Sequence, residues 1–290
     1  MSGDGLPWQQ VEVVHLQGLH PVGRRPGLRE YVAQLWARRH FVVADSRARV
    51  ASGTRQMILG NAWLVLKPVL DGLVYFAIFG LILKSGRGID NFVGYLLIGV
   101  FMFQFTARCL SVGASSVSGG RTLIRSFLFP RAALPVAAVL RETLSMVPVV
   151  VSMLVLVVVV PPHAEVTWRW LLFPGVFTLQ LVFNAGIALL AARLVARVRD
   201  LSNLIGFFTR FWLYGSGVFF SFDSFVSDPT VLAVVKLNPM YVVLDMTRDV
   251  LLYGRTPEAG SWVVLASWAL GALLLGFVFF WRGEETYGRE

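Results

Sequence analysis

The chain is short of cysteine, lysine and histidine, and each shortage removes a class of site. Cys109 is the only cysteine among 290 residues, so an internal disulfide or a multi-cysteine metal site is excluded. None of the three lysines, Lys67, Lys84 and Lys236, follows a glycine, so the chain lacks a Gly-Lys-Ser/Thr phosphate-binding loop. The four histidines lie outside the apolar runs, and no two have metal-ligand spacing. We therefore expect no metal and no cofactor on this chain, and the signal for an enzyme is weak.

Charged residues are also scarce. They make up 15% of the chain, against roughly 25% in soluble domains, while 56% of residues are apolar and the mean hydropathy is +0.66. The formal net charge is +9, but nucleic-acid binding needs positive charge gathered on a soluble face. Here the bases stand between long apolar runs, so the composition indicates a membrane protein without a nucleic-acid partner. No apolar secretory signal occurs in the first sixty residues, and we expect the N-terminus in the cytoplasm.

Six apolar stretches approach the roughly 20 residues that cross a hydrocarbon core as a helix. They cover residues 62–83, 92–116, 137–160, 170–192, 203–222 and 262–281. The predicted fold is an all-α integral membrane domain of six transmembrane helices over 62–281.

Basic residues divide unevenly between the predicted loops. With the N-terminus inside, the inner segments contain sixteen arginines: Arg24, Arg25, Arg29, Arg38, Arg39, Arg47, Arg49, Arg55, Arg121, Arg125, Arg131, Arg193, Arg197, Arg199, Arg282 and Arg289. The outer segments contain six bases: Lys84, Arg87, Arg169, Lys236, Arg248 and Arg255. This positive-inside bias predicts that both termini are cytoplasmic.

The segments around the spans have their own patterns. Residues 1–27 contain scattered proline and glycine and are predicted to be a flexible cytoplasmic tail, and 282–290 a second tail. Apolar residues recur at three- and four-residue spacing over 28–52, among several arginines. This pattern predicts an amphipathic helix that lies along the inner membrane surface.

The inner loop at 117–136 contains a short amphipathic run. Arg121 and Arg125 stand beside apolar residues that include Phe127, and Phe129-Pro130 ends the run. A short basic helix there suits docking to a soluble partner, and a membrane-surface helix explains the pattern equally well.

The outer segment at 223–252 is too apolar for a free loop and too short and charged for two spans. Asn238-Pro239 breaks it. A re-entrant pair of half-helices between the fifth and sixth spans fits best, since such backbone is tolerated against protein or water. Asp245 and Asp249 flank Arg248 within one helical turn. This carboxylate pair could act in acid–base chemistry, but a structural ion pair at a gate is favoured.

Asp71, Arg108 and Arg210 are charged residues that lie well inside predicted spans. Asp71 is near the middle of the first, whereas Arg108 and Arg210 lie at similar depths in the second and fifth. Charges at such depth usually face the bundle interior or water, often in pairs. We expect Asp71 to neutralise one of the arginines, as a structural pair or as part of a solute contact.

The first and fifth spans are rich in aromatic rings. The rings proposed for a path are Tyr75, Phe79, Phe207, Phe211, Trp212 and Tyr214. Aromatic faces stack on sugar rings, so these residues could line a glycan path. Lipid-facing or core positions are the alternative, and they are commoner.

Several segments, taken in order, resemble one family of transport proteins. They are Leu59-Gly60 with Trp63 and Pro68; Gly94-Tyr95-Leu96 through Gly99 with Phe101 and Phe103; Leu123-Ile124-Arg125, Phe129-Pro130-Arg131 and Leu134-Pro135; Arg199-Asp200-Leu201; Tyr214 to Val218; and Leu237-Asn238-Pro239-Met240 with Asp245, Arg248-Asp249 and Gly254. Over residues 28–285 the chain resembles the permease subunit of ABC exporters of lipid-linked polysaccharide.

This resemblance implies a bacterial inner-membrane homodimer that pairs with two ATPase subunits, which use ATP and magnesium. It implies that Arg121, Arg125 and Phe127 couple to the ATPase, and that Asn238, Pro239, Asp245, Arg248 and Asp249 belong to an outer gate. Arg47, Arg49 and Arg55 would contact the diphosphate of a polyprenyl-linked glycan.

The sequence is compatible with two other functions. A related permease could export a small hydrophobic drug or lipid, although the outer hairpin and aromatic spans favour a glycan. A membrane-embedded glycan transferase is the third class, and the sequence offers it no convergent acid, histidine or metal group.

Overall fold

A computed structural model of the chain describes residues 26–53, 91–126, 129–222 and 228–287, with isolated positions between 62 and 89. Its described helices are α1 (Leu28–Ala37), α2 (Arg39–Gly53), α3 (Phe92–Gly119), α4 (Arg121–Ser126), α5 (Ala133–Val159), α6 (Phe173–Arg197), α7 (Leu201–Tyr214), α8 (Pro229–Lys236), α9 (Pro239–Leu251) and α10 (Ala259–Arg282). No strand occurs within these ranges, so the predicted all-α class is confirmed there.

Four helices are long and apolar enough to cross a membrane: α3, α5, α10, and α6 together with the 3-10 turn Trp168–Leu172. They coincide with the spans predicted at 92–116, 137–160, 170–192 and 262–281. The span predicted at 62–83 falls largely outside the described residues. The sequence therefore located these four membrane helices, and the count of six is not tested.

The span predicted at 203–222 differs from the structure. Its helix, α7, has 14 residues, or about 21 Å at 1.5 Å per residue, and ends at Tyr214. The chain then turns at Gly217, whose φ of 65° is a left-handed conformation that favours glycine. Tyr95 secures this turn, because its hydroxyl lies 2.9 Å from the carbonyl oxygens of both Gly217 and Phe220.

Helix α6 lies at the centre of the bundle and packs closely on α3 and α10. A Cβ atom added at Gly186 of α6 would lie 2.3 Å from the carbonyl carbon of Ala272 in α10. One added at Gly113 of α3 would lie 2.5 Å from the Cβ of Ala188. Small residues thus let the helix backbones approach, as they commonly do in membranes.

Polar groups also join α6 to α3 inside the bundle. The Gln180 amide donates to the carbonyl oxygen of Met102 at 2.8 Å and to Thr106 Oγ1 at 2.9 Å. These side chains are buried, and interhelical hydrogen bonds of this kind contribute to helix association in lipid.

The predicted amphipathic helix at 28–52 is two helices, α1 and α2, separated by a turn at Arg38. Tyr31 and Val42 are buried, while Leu28, Val32 and Trp36 are exposed. Helix α2 packs along α5. Some apolar residues of α1 and α2 therefore pack against the bundle, and others remain exposed.

Helices α8 and α9 meet at an angle of 87° around residues 237–238, the geometry of a broken span or a re-entrant loop. Asn238 caps α9, because its side-chain oxygen accepts a hydrogen bond from the Met240 N–H at 3.0 Å. Its amide donates to the Gly215 carbonyl oxygen at 2.8 Å. One asparagine thus fixes the bend and ties it to the turn after α7.

Candidate functional site

One face of α7 is aromatic and uncovered. Phe207, Phe208, Phe211 and Tyr214 are all more than half exposed, at 59%, 62%, 62% and 54%. The rings of Phe207 and Phe211 lie 4.7 Å apart between centroids. The predicted path residues Phe207, Phe211 and Tyr214 therefore share an open surface, whereas Tyr75 and Phe79 lie outside the described residues.

Trp212 behaves differently from the other rings of α7. It is half-buried, and its indole N–H donates to Asn238 Oδ1 at 2.9 Å. Its ring packs against Phe103 of α3 and Phe183 of α6, with centroids 5.8 Å and 6.2 Å away. Trp212 therefore connects α7 to the bundle and to the bend between α8 and α9.

Five polar residues on three neighbouring helices line adjacent cavities. They are Gln104 and Arg108 on α3, Glu142 on α5, and Thr209 and Arg210 on α7, and we call them the polar belt. By helical rise, Arg108, Glu142 and Arg210 lie roughly 14–17 Å from the helix ends at Gly119, Ala133 and Leu201. Charged residues this far along membrane helices usually mark a substrate path or a buried pair.

The polar belt lines two cavities that share Gln104. The α3–α5 cavity is lined by Phe101, Gln104, Phe105, Arg108, Glu142, Met146 and Val149. The α3–α7 cavity has a volume of about 160 Å³ and is lined by Val100, Phe103, Gln104, Ala107, Thr209, Arg210, Leu213 and Phe219. Arg108 and Arg210 thus line different cavities, and the side chain of Gln104 lines both.

Glu142 is a further charged residue that the sequence patterns did not identify as part of a site. Its carboxylate lies in the same cavity as Arg108, and one oxygen is 3.7 Å from Arg141 Nε. The sequence did contain a signal for Glu142, because an acidic residue inside the predicted span 137–160 is unusual in a membrane helix. Asp71, the predicted partner of Arg108 or Arg210, lies outside the described residues, so that pairing is not tested.

Arg248, predicted to belong to an outer gate, is buried, with only 3% of its surface exposed. Its Nη2 group donates to the carbonyl oxygens of Tyr95 at 3.2 Å and Val218 at 3.3 Å. Its guanidinium carbon stands 3.3 Å above the centre of the Tyr95 ring. Arg248 thus attaches α9 to α3 and to the turn after α7, and Asp245 and Asp249 are half-buried on the same helix.

A second unpredicted cluster lies at the helix ends expected to face the cytoplasm. The Tyr31 hydroxyl donates to Glu284 Oε2 at 2.7 Å and accepts from the Ala132 N–H at 3.0 Å. The Arg131 N–H donates to Glu284 Oε1 at 2.9 Å. We call Tyr31, Arg131, Ala132 and Glu284 the inner joint, because it connects α1, the loop after α4, and the segment after α10.

Burial governs the ionisation of the inner joint. Loss of hydration raises the pKa of the Glu284 carboxyl, although the Arg131 N–H and the Tyr31 hydroxyl oppose the rise. Burial and the neighbouring Glu284 raise the pKa of the Tyr31 hydroxyl as well. Glu284 and Tyr287 lie in the segment 282–290, predicted to be a cytoplasmic tail, and both are buried.

The predicted coupling segment forms a short helix, α4. Ile124 is buried, and Arg121 lines a cleft with Ser118, Arg199 and Tyr287. The side chains of Arg125 and Phe127 lie outside the described residues. The structure therefore places Arg121 in the same cleft as Arg199. It does not test whether the segment docks to an ATPase.

The predicted diphosphate contacts are only partly described. Arg49 forms a salt bridge with Asp45, one turn earlier in α2, at 2.9 Å. Arg47 is exposed on the same helix, and Arg55 lies outside the described residues. The described residues therefore do not test the diphosphate contact.

Potential metal ligands are dispersed. No three histidine, cysteine, aspartate or glutamate side chains gather in the parts of the chain that the structure covers. Cys109 is buried, and His163 Nδ1 lies 2.9 Å from the carbonyl oxygen of Val158. Among the described residues, the side chains that could bind a ligand are therefore mainly arginines, amides and aromatic rings.

Comparison with known proteins gives a consistent result. The family model described as ABC-2 type transporter matches residues 46–252. The O-antigen export system permease protein RfbA of Myxococcus xanthus is 25% identical over 257 residues, which cover 88% of this chain and 96% of that protein. RfbA of Klebsiella pneumoniae is 24% identical over 69% of this chain and 75% of its own length. The polysialic acid transport protein KpsM of Escherichia coli is 21% identical over 79% and 87%.

Proposed function

The chain belongs to the ABC-2 type transporter family, and we propose that it is the permease of an ATP-driven exporter of a cell-surface polysaccharide. The observation that carries this proposal is similarity along nearly the whole length of a relative named as an O-antigen export permease. A second relative is named for polysialic acid transport, so both names refer to long glycans. The helices long and apolar enough to cross a membrane support a multi-pass protein of the bacterial inner membrane.

The exposed aromatic face of α7 supports a glycan as the exported molecule. Phe207, Phe211 and Tyr214 present rings that remain exposed while most of α3 and α9 is buried. Flat rings can stack on successive sugars without reading their sequence, as a processive path requires. We propose that a second copy of the chain faces this surface, and that a glycan carried on a polyprenyl diphosphate passes between the copies.

Energy for export comes from a separate chain in this proposal. The sequence contains no phosphate-binding loop, so ATP and magnesium are used by a partner ATPase. The basic helix α4 lies at the helix ends expected to face the cytoplasm, where such a partner would dock. The orientation follows from the positive-inside bias.

Depletion in the native bacterium tests the function. Depletion is expected to remove the surface polysaccharide and to leave lipid-linked glycan in the cell, and affinity purification of the tagged chain is expected to recover an ATPase subunit. Unchanged surface glycan with a newly retained drug or lipid would instead identify the alternative permease. Glycan synthesis by the purified chain alone would identify a transferase.

Charge reversal on α4 tests the coupling role. Arg121→Glu combined with Arg125→Glu is expected to lower export at least about tenfold and to abolish stimulation of the ATPase, because the basic face that docks becomes acidic. The control is Arg282→Glu, a reversal at the end of α10. Normal export by the α4 variant, at wild-type expression, would contradict a docking role.

A further inference from the structure

Arg210, which the sequence places inside the predicted fifth span, has no partner among the described residues. It lies more than halfway along α7 and makes no hydrogen bond, ion pair or ring contact with any residue that the structure covers. Arg108, in contrast, shares its cavity with Glu142. Because an uncompensated charge at membrane depth is costly, such residues usually serve a pair or a substrate path.

The groups around Arg210 suit an oxyanion. Across the α3–α7 cavity lies Gln104, whose amide can donate hydrogen bonds, and Thr209 contributes a hydroxyl that already donates to Ile205 at 2.7 Å. The remaining lining is apolar. A cavity of about 160 Å³ far exceeds the roughly 10–15 Å³ that one water molecule needs by the same measure, which leaves room for a phosphate or carboxylate group. Arg210 is also exposed, so an anion can reach its guanidinium, and hydrogen bonds from arginine to such anions are stronger than those between neutral groups.

Arg210 also stands beside the aromatic face. Phe207 precedes it by three residues and Tyr214 follows it by four, so all three lie on neighbouring sides of α7. A molecule that stacks on these rings thus passes within reach of the guanidinium.

We propose that the α3–α7 cavity binds an oxyanion of the exported molecule, through Arg210 with Gln104 as the opposing donor. This inference rests on the proposed function and adds a charge-selective step to it. Two sources share the chemistry: the phosphate groups of the lipid carrier and the carboxylates of an acidic glycan.

Binding of defined probes to the purified permease–ATPase complex separates these sources. Farnesyl diphosphate is compared with farnesol, and a sialic acid oligomer with a neutral oligosaccharide. Arg210→Gln is expected to weaken at least one anionic probe about tenfold or more, to leave the neutral probes unchanged, and to be partly rescued by Arg210→Lys. The control is Arg255→Gln, an exposed arginine outside the cavity.

A variant on the opposite wall keeps the test independent of Arg210. Gln104→Leu is expected to weaken the same anionic probe by a few fold while the complex remains monodisperse. The loss of one anionic probe identifies the source. Failure of the wild-type complex to bind either anionic probe, or equal binding by wild type and both variants, overturns the proposal.

Asp71 provides the competing explanation. If Asp71 neutralises Arg210, the combination of Asp71→Asn and Arg210→Gln will export more glycan than Arg210→Gln alone, and that result overturns the oxyanion site. We expect no such rescue. Loss of surface glycan on depletion, together with normal export by Arg210→Gln, would refute this site and leave the proposed function intact.

Discussion

At the scale of single residues, close contacts around Arg248 make one glycine critical. A Cβ added at Gly99 of α3 would lie 2.7 Å from Arg248 Nη2 and 2.9 Å from the Val218 carbonyl oxygen, so the buried guanidinium or the turn would have to move. We expect Gly99→Ala to destabilise the protein by about 1–3 kcal/mol, the usual range for overpacking. Thermal unfolding of the purified complex measures this change.

Gly119 is the matched control on the same helix, because an added Cβ would meet nothing within 4 Å. Alanine favours helix over glycine, so Gly119→Ala should keep or slightly raise the melting temperature. Equal losses for both variants would show that the contact with Arg248 is unimportant.

Glu284 gives the inner joint a dependence on pH. Because burial raises its pKa in the folded protein, the folded state holds the proton more tightly than the unfolded state. The stability that Glu284 contributes is therefore complete below the ordinary carboxyl pKa and is lost as the pH rises through the raised value. We expect the melting temperature to fall over that range, and to fall less in Glu284→Gln. Identical pH profiles would contradict this linkage.

The residues that the sequence analysis missed share a physical reason. Tyr31 and Glu284 are separated by 253 positions, and no local pattern indicates that they meet. Glu142 stood inside a predicted span, but only the packing of α5 on α3 brings it to Arg108. Charges at membrane depth could be recognised from the sequence, whereas their partners depend on how the helices assemble.

At the scale of elements, hydropathy and helix caps explain what could be predicted. The long apolar runs gave α3, α5, α6 and α10, and Asn238-Pro239 marked the start of α9. The predicted end of the fifth span, residue 222, lies beyond the end of α7 at Tyr214. Residues 215–222 are still apolar and aromatic, so their hydropathy does not reveal that the backbone turns there. Hydropathy counts apolar side chains and contains no information about a glycine with positive φ.

The aromatic face of α7 yields a prediction for transport. Replacement of Phe207 or Phe211 by leucine keeps apolar character but removes a ring, and stacking contacts are worth about 0.5–1.5 kcal/mol each. We expect export to fall roughly two- to tenfold while expression and ATPase pairing persist. Surface polysaccharide per cell is the measurement.

Two other rings serve as comparisons. Phe41→Leu on α2 replaces an exposed ring away from α7 and should leave export unchanged. Trp212→Leu should also lower the melting temperature, because it removes the hydrogen bond to Asn238. Full export in both Phe207→Leu and Phe211→Leu would assign these rings to lipid.

At the scale of the whole molecule, the connections lie at opposite ends of the bundle. Arg248, Trp212 and Asn238 hold α9 and the turn after α7 against α3, whereas the inner joint holds α1 against the segment after α10. The polar belt lies between them. The family match covers 46–252, so it includes the belt but excludes Tyr31 and Glu284.

The predicted orientation of the whole chain can be tested with single cysteines. Arg197 ends α6 and Thr256 follows α9; both are exposed, and the 25 residues of α6 span about 37 Å. After Cys109→Ala removes the buried native thiol, Thr256→Cys should react with a membrane-impermeant maleimide in intact cells, since the sparse outer charges place it outside. Arg197→Cys should react only after the membrane is permeabilised. Labelling of Arg197→Cys from outside would reverse the orientation, and with it the docking side assigned to α4.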